Sequence, residues 1–303
     1  MKKILFAVLA IVFPVIVMAQ GCPVPTKVTA TVTFKRNSTF PTLDGGFTVD
    51  AGGTTVNFSR GNLQYKASIG TWQFAAHQYD IIGADNAYIA SDYTGWIDLF
   101  GWATNGYSSN GTHHQPWDSS TDDTYGNTAA QWGGDNLDSN EDWGRNMGAG
   151  WRTLTEAEWT YLIDTRASGA IVEGVSNARY THIAITIDAT TITGLLLFPD
   201  GYNQGTPVGV SWSAAHINQH ETDYAASCTA EGWITLEDAG CVFLPYAGQR
   251  NGTSVSYVGD AGYYWTATSA TQANASALHI PSTNAFPGIA RHLGCSVRLV
   301  KNQ

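Results

Sequence analysis

Two histidine pairs have the residue types and spacing that metal chemistry needs. His216 and His220 stand four residues apart and Glu221 follows, which on a helix gives two metal ligands on one face beside a general base. The surrounding sequence has the pattern of a loop, however, and the spacing places no third histidine. His113 and His114 are adjacent, so their side chains point apart, and no third ligand stands nearby. The histidines therefore predict neither a metal enzyme nor any other catalytic site.

A long polar insertion, residues 103–150, carries a cluster of carboxylates among many Gly, Asn and Ser residues. Loops of this length usually have a function or are mobile. Calcium prefers such oxygen-rich loops, although the spacing here fits no EF-hand, and a solvated acidic loop explains the same composition. We expect no cofactor other than calcium, which the sequence leaves open. The candidate calcium ligands are Asp118, Asp122, Asp123, Asp135 and Asp138.

The cysteines give no chemical motif of their own. The chain has Cys22, Cys228, Cys241 and Cys295, without a C-x-x-C pair, so a zinc or redox site is not expected. Export would permit disulfides, and the sequence cannot choose among the alternative pairings.

Composition argues against one class of partner, and the first residues of the chain indicate where the protein is located. The formal net charge is −10, and no Lys/Arg cluster exists to neutralise phosphates, which argues against a nucleic-acid partner. Lys2 and Lys3 precede an apolar run over 4–17, so we predict a signal peptide over 1–19 and a mature protein that begins at Gln20. The sequence leaves open a lipid on Cys22, which would be the protein's sole membrane attachment. Either route predicts an exported protein, at the cell surface, in the outer membrane or secreted.

Hydrophobic patterning places the elements that must position any site. Residues 20–45 are poor in apolar side chains and predict a tether, with one folded domain over 46–303. Short β-favouring runs predict strands at 54–59, 62–65 and 71–74, joined as a meander. The dense apolar run at 96–102 predicts a short buried helix.

The clearest helix signal lies at 153–166. Thr155 and Glu158 predict a capping box, and Trp159 begins an apolar stripe. Residues 183–187 and 194–198 predict two strands around a turn, and residues 202–235 predict irregular chain. Further strands are predicted at 241–244, 263–265 and 296–300.

Several of these segments together resemble a protein family. Residues 151–159, WRTLTEAEW, resemble the R-L-P-T-E-A-E-W helix of formylglycine-generating-enzyme-like domains, a branch of the C-type lectin fold. Other segments resemble, in the same order, a large group of secreted bacterial proteins with that fold. They are 56–65, 95–102, 240–245, 262–265 and 296–300. The resemblance implies an α+β fold, with a mixed, mostly antiparallel sheet, two helices and long irregular loops.

Some members of this group are variable proteins of diversity-generating retroelements, which the C-terminal stretch resembles. In those proteins the segment between an aromatic strand and an S-V-R-L-V strand is diversified through template adenines, so Asn codons change to a restricted set. Residues 266–294 contain no Lys, Glu, Met or Trp, none of which an Asn codon can give through adenine changes, and Gln272, which is equally unreachable, is expected to lie outside the diversified set. The resemblance implies a ligand-binding surface made by Ser276, Ala277, His279, Ile280, Thr283, Asn284, Phe286, Gly288, Ile289, Ala290, His292, Leu293 and Cys295.

The expected function is thus exported, non-enzymatic binding of a protein or glycan ligand on another cell or phage. One alternative is a structural or adhesive surface subunit without diversification. A second is an oxidase of the formylglycine-generating type, which needs two cysteines close together near the C-terminus, whereas Cys295 stands alone there. The Glu-Pro-Asn and Trp-Asn-Asp sugar motifs of animal lectins are absent from the sequence.

Overall fold

The computed structural model of the chain describes residues 41–106, 108–109, 112–113, 115–117, 136–220, 226–281 and 286–303. These residues belong to one unit, Ser38–Gln303. The predicted signal peptide, Cys22 and most of the predicted tether lie outside the described residues. Within the described ranges, no helix is both long and apolar enough to cross a bilayer.

Short strands and two α-helices make up the described secondary structure, which is therefore α+β. The strands are β1 (Phe47–Thr48), β2 (Thr55–Phe58), β3 (Leu63–Lys66), β4 (Thr71–Phe74), β5 (Ser108–Ser109), β6 (Thr112–His113), β7 (Trp151–Thr153), β8 (Ile171–Val172), β9 (Val175–Ser176), β10 (Tyr180–Ile187), β11 (Thr190–Leu197), β12 (Val210–Ser211), β13 (Ser227–Thr229), β14 (Val242–Pro245), β15 (Gln249–Asn251), β16 (Ser254–Ser256), β17 (Gly262–Ser269), β18 (Asn274–Ile280), β19 (Gly288–Ala290) and β20 (Leu299–Asn302). The helices are α1 (Glu156–Thr160) and α2 (Ala230–Asp238).

A sheet of order β1-β2-β20-β7 joins the two ends of the described chain. β2 alternates half-buried and buried residues, so Val56 and Phe58 face the core as the predicted strand requires. Its partner β20 runs antiparallel and pairs Val56 with Asn302. The chain is already packed here at Leu43, whose N–H donates to the Phe58 carbonyl.

The predicted meander is wrong, although its three strands are confirmed. β3 pairs with β4, but β2 pairs with β1 and β20. The short break at Gly61 is therefore not a hairpin turn. The Leu63 N–H instead donates to the carbonyl of Val297, near the C-terminus.

The predicted helix at 96–102 is also wrong, because its backbone bonds to distant chain. Ile97 forms a bridge with Tyr65, and Phe100 forms one with Cys295. The Trp102 N–H donates to the Arg291 carbonyl at 2.8 Å. A dense apolar run of this length does not distinguish a buried helix from buried extended chain.

The predicted capped helix is confirmed. The Thr155 side chain accepts from the Glu158 N–H while the Glu158 carboxylate accepts from the Thr155 N–H, which closes the capping box. Glu158 also forms an ion pair with Arg152 at 2.7 Å. α1 continues into a π-helical turn over Tyr161–Thr165, and its Trp159 is buried.

A second sheet has the order β12-β13-β10-β11-β14. The strands predicted at 183–187 and 194–198 are confirmed as the antiparallel pair β10 and β11. The irregular chain predicted at 202–235 is wrong where β12, β13 and the start of α2 lie. Thr229 caps α2, and its buried face is short, with Trp233 and Leu236. Gly232 interrupts the apolar pattern because a Cβ there would lie 3.1 Å from the Cys228 Sγ.

The third sheet, β17-β18-β19, lies between two parts of the core. Successive residues of a strand point to opposite faces. One face packs into a first core cluster that includes Trp159, Leu195, Tyr264, Leu278 and Ile280. The other packs into a second core cluster that includes Trp102, Trp143, Trp265, Ala275 and Ala277. The predicted variable stretch is therefore built on a sheet with core on both sides.

Candidate ligand-binding surface

Strong hydrogen bonds hold the ends of the C-terminal stretch. The Trp265 indole N–H donates to the Phe100 carbonyl at 2.6 Å, and its backbone N–H donates to the Ser296 carbonyl at 2.9 Å. The Tyr264 hydroxyl donates to the Pro245 carbonyl at 2.7 Å. All three donors are buried, where an unpaired polar group would cost about 1–3 kcal/mol. The backbone at the ends of the stretch is thus held by hydrogen bonds that do not involve the side chains predicted to vary.

Four of the predicted surface residues lie in the core. Ser276, Ala277, Ile280 and Cys295 are fully buried. Ile280 belongs to the first core cluster, and Ala277 and Cys295 belong to the second. None of the four can contact a partner in this conformation. Sequence composition cannot detect this burial, because small and apolar residues suit either location.

Seven predicted residues reach solvent at the end of β18, along β19 and in the turn that follows. Gly288 is exposed and the others are half-buried. The set is His279, Phe286, Gly288, Ile289, Ala290, His292 and Leu293. Phe286 also touches the first core cluster, and Ile289 touches the second. Thr283 and Asn284 lie outside the described residues.

Arg291 interrupts this surface with a buried cation that sequence analysis did not single out. Its guanidinium lies 4.3 Å from the centroid of the Trp102 ring. Nη2 donates to the Ser269 hydroxyl at 2.6 Å and to the Thr271 carbonyl at 2.7 Å. Arg291 therefore ties the turn between β17 and β18 to the segment after β19. A buried Arg with stacking and forked donors positions backbone in a way that Lys cannot.

Two stacked aromatic rings lie near one end of the antiparallel pair formed by β17 and β18. Tyr263 and His279 are directly paired across the strands, and their rings lie 4.6 Å apart with an interplanar angle of 8°. Burial lowers the pKa of His279 from its ordinary value of 6.5. The ring is therefore neutral at pH 7 and stacks on Tyr263 without carrying a charge.

Beneath the surface lies a buried pair of opposite charges. Asp98 and Arg250 are both fully buried, and Arg250 donates to the Leu99 carbonyl. Burial raises the pKa of Asp98 to about 6 and lowers that of Arg250 to about 10. Gly294 lets Arg250 lie close against the backbone at this position, since a Cβ on residue 294 would lie 2.9 Å from the Arg250 Cβ.

The three described cysteines are free thiols in the core. Burial raises the pKa of each, and that of Cys228 reaches about 12. Cys241 belongs to a third core cluster with Trp233 and Phe243, whereas Cys295 belongs to the second. Cys228 lies in the same third cluster as Cys241. All three thiols are protonated at neutral pH, as buried structural cysteines are.

Of the candidate calcium ligands, Asp138 alone is described. Its Oδ1 accepts from the backbone N–H groups of Asn140 at 2.6 Å and Glu141 at 3.1 Å, so the carboxylate closes a turn. It lines an open cleft of about 490 Å³ beside Asp142 and Arg152. Asp118, Asp122, Asp123 and Asp135 lie outside the described residues.

His216 and His220 do not lie on one helix face. His216 ends a 3₁₀ turn, Ala214–His216, and the His220 Nδ1 lies 2.9 Å from the Tyr180 hydroxyl. Glu221, His114 and the side chain of His113 lie outside the description. Within the described ranges, no three His, Cys, Asp or Glu side chains are grouped to hold a metal ion.

The fold and surface together define an α+β protein with a solvent-facing patch on a rigidly held C-terminal sheet. Comparisons with protein-family models, with curated proteins and with solved structures found no match to this chain.

Proposed function

We propose that this chain is an exported, non-enzymatic ligand-binding protein of the C-type-lectin-like, formylglycine-generating-enzyme-like fold. Its binding surface is the solvent-facing patch formed by His279, Phe286, Gly288, Ile289, Ala290, His292 and Leu293. The ligand is a protein or glycan on another cell or phage. The surface varies as in the variable proteins of diversity-generating retroelements.

The architecture supports the fold proposal at three points. The helix that carries the family-like WRTLTEAEW sequence is capped by Thr155 and buries Trp159. The sheets are mostly antiparallel, with β10 and β13 as the parallel pair. Two α-helices occur in the described chain, and long segments between strands are irregular.

The observation that carries the functional proposal is the division of one short stretch into core and surface. Within β18, Leu278 and Ile280 fill the first core cluster, while His279 between them reaches solvent. Frame contacts from Trp265 and Arg291 use buried groups outside the patch. Substitutions in the patch therefore leave the frame's hydrogen bonds in place. A surface can diversify only under that condition.

The chemistry of the patch suits binding. Phe286, Ile289 and Leu293 are half-buried, so each leaves part of an apolar side chain open to a partner. Aromatic anchors carry much of the energy at interaction sites. Reachability from Asn codons supports variation at the same positions.

The test replaces Phe286, Ile289, His292 and Leu293 together by Asn. We expect fluorescently labelled protein to lose binding to responsive members of a panel of intact bacterial cells and phage particles, while it keeps its circular dichroism spectrum. The matched control introduces four Asn residues at exposed apolar sites elsewhere, namely Ile69, Tyr88, Ile171 and Val208. The control should bind as the wild type does.

Two results would contradict the proposal. One is unchanged binding by a folded patch variant. The other is loss of the fold in the patch variant alone, which would make these residues core. A near-copy of this segment's DNA beside a reverse transcriptase, differing where the template has adenine, would support diversification. Its absence would leave a binding protein with a fixed surface.

A further inference from the structure

Three aromatic rings form a ledge next to the patch. Tyr263 stacks on His279 at 4.6 Å, and the Tyr257 ring lies 6.3 Å from that of Tyr263 at 52°. Tyr257 is 55% exposed, and Val258 beside it is 40% exposed. Two of these rings lie outside the positions predicted to vary. The ledge therefore extends the candidate surface with two side chains, Tyr257 and Tyr263, that are not predicted to vary.

The backbone at Tyr257 is held in an unfavourable conformation. Its φ is +64°, which bulky residues rarely adopt. The carbonyl accepts from the N–H groups of Asp260 at 3.0 Å and Ala261 at 2.9 Å, and the Gly259 N–H donates to the Tyr246 carbonyl at 2.8 Å. The turn is thus over-determined by its hydrogen bonds. Strain of this kind persists where the surrounding structure enforces it, and it clusters at active sites and ligand-binding sites.

The segment of the chain that carries the ledge is poor in charged residues. From residue 251 to residue 290 the sequence contains one side chain of fixed charge, Asp260, in the same turn as Tyr257. The preceding cation, Arg250, is fully buried, and its Nη2 donates to the Leu99 carbonyl. The whole chain carries a net charge of −10. Exposed ring faces beside a carboxylate complement a cation, which is attracted to the ring quadrupole.

We propose that the ledge of Tyr257, Tyr263 and His279 binds an arginine or lysine side chain of a protein partner. The inference rests on the proposed function, because it assigns the fixed part of the same binding surface. Tyr257 and Tyr263 supply constant ring faces, while position 279 adjusts the contact. Tyr, Phe and His are all reachable there from an Asn codon, so the variants that carry one of these rings keep a stacking group.

The test titrates the full chain with N-acetyl-arginine amide and N-acetyl-lysine amide, and with the neutral N-acetyl-glutamine amide as control. Tyrosine and histidine ring signals are followed by NMR. We expect saturable shifts at Tyr257, Tyr263 and His279 with the two cations and not with the neutral amide. Tyr257→Ala should weaken the apparent affinity about 2- to 30-fold, the range for a cation on an aromatic face. Tyr257→Phe keeps the ring and should retain binding.

Tyr88 provides an internal reference, because it is 59% exposed and stacks on Tyr93 at 5.2 Å. Equal shifts at Tyr88 would make the effect non-specific and overturn the proposal. So would binding of the glutamine amide, or unchanged affinity in Tyr257→Ala. A wild-type dimer that becomes a monomer in Tyr257→Ala would show that a second copy covers the ledge, and would also overturn it. The Asn variant of the patch keeps all three rings, so the ledge and the patch can fail separately.

Discussion

Asp98 is a fully buried carboxylate, and burial makes its charged form energetically costly. It accepts hydrogen bonds from the Asn86 side chain at 2.8 Å and the Ile82 N–H at 3.0 Å. These bonds and the nearby Arg250 favour the charged form, yet burial outweighs them and raises the pKa from 3.8 to about 6. The folded state therefore binds a proton that the unfolded chain releases.

We predict that Asp98 makes the protein less stable as pH rises from about 4 to about 6. Its contribution is fully present below the unfolded pKa and is lost through the folded pKa, and its size is on the order of 3 kcal/mol. Asp98→Asn should remove this slope. Urea unfolding of both proteins at a series of pH values checks it. A difference between variant and wild type that does not change between pH 4 and pH 7 would contradict the assignment.

His182 should give a slope of the opposite sign. It is buried, with Nδ1 2.6 Å from the Tyr246 hydroxyl, and burial lowers its pKa from 6.5 to about 4. Its neutral form stabilises the fold above pH 6.5, and that stability is lost as pH falls through 4, by about 3 kcal/mol. In His182→Asn the stability should fall more steeply with rising pH than in wild type, because the contribution of Asp98 is no longer offset. The same urea series measures this, and identical slopes in variant and wild type would refute it.

Among the elements, α1 should contribute most through one side chain. Trp159 is 1% exposed and packs on Phe58 with ring centroids 5.7 Å apart. Trp159→Ala should lower the free energy of unfolding by about 3–5 kcal/mol, through lost burial and a cavity. Ile234→Ala on α2 is the control, because Ile234 is 58% exposed. Thermal melts compare the two, and equal effects would place α1 outside the core.

Elements with local signals were predictable from the sequence, and those that depend on distant partners were not. The capping box at Thr155 and the alternation of β2 are written within a few residues, so both were predicted correctly. The 96–102 run bonds to Cys295 and Arg291, far along the chain, and no local pattern encodes that. α2 was missed because Gly232 breaks its short apolar face.

The candidate surface followed the same rule. Its location between two strands could be predicted, but its division into inward and outward residues could not. That division depends on the register of β18 with β17, in which Trp265 pairs with Ala277 and Tyr263 pairs with His279. The buried cation Arg291 was equally hidden, because its partners Trp102 and Ser269 come from other segments.

At the scale of the whole described molecule, the early strand β2 and the late strand β20 are neighbours. The Gln303 N–H also donates to the Thr55 carbonyl at 3.0 Å. The candidate surface precedes β20 in the chain, so it lies inside the loop that this pairing closes.

The pairing of β2 with β20 determines when the first sheet can form. β2 is made early, but its partner Val300–Asn302 follows far later in the chain, so the first sheet stays incomplete until that segment is made. Contacts of such long range form slowly. A sequence variant whose filling prevents β17 and β18 from forming would also keep β20 from reaching β2. Proteolysis would then remove that variant before it met a partner, so under the proposed diversification we expect folding itself to screen the products.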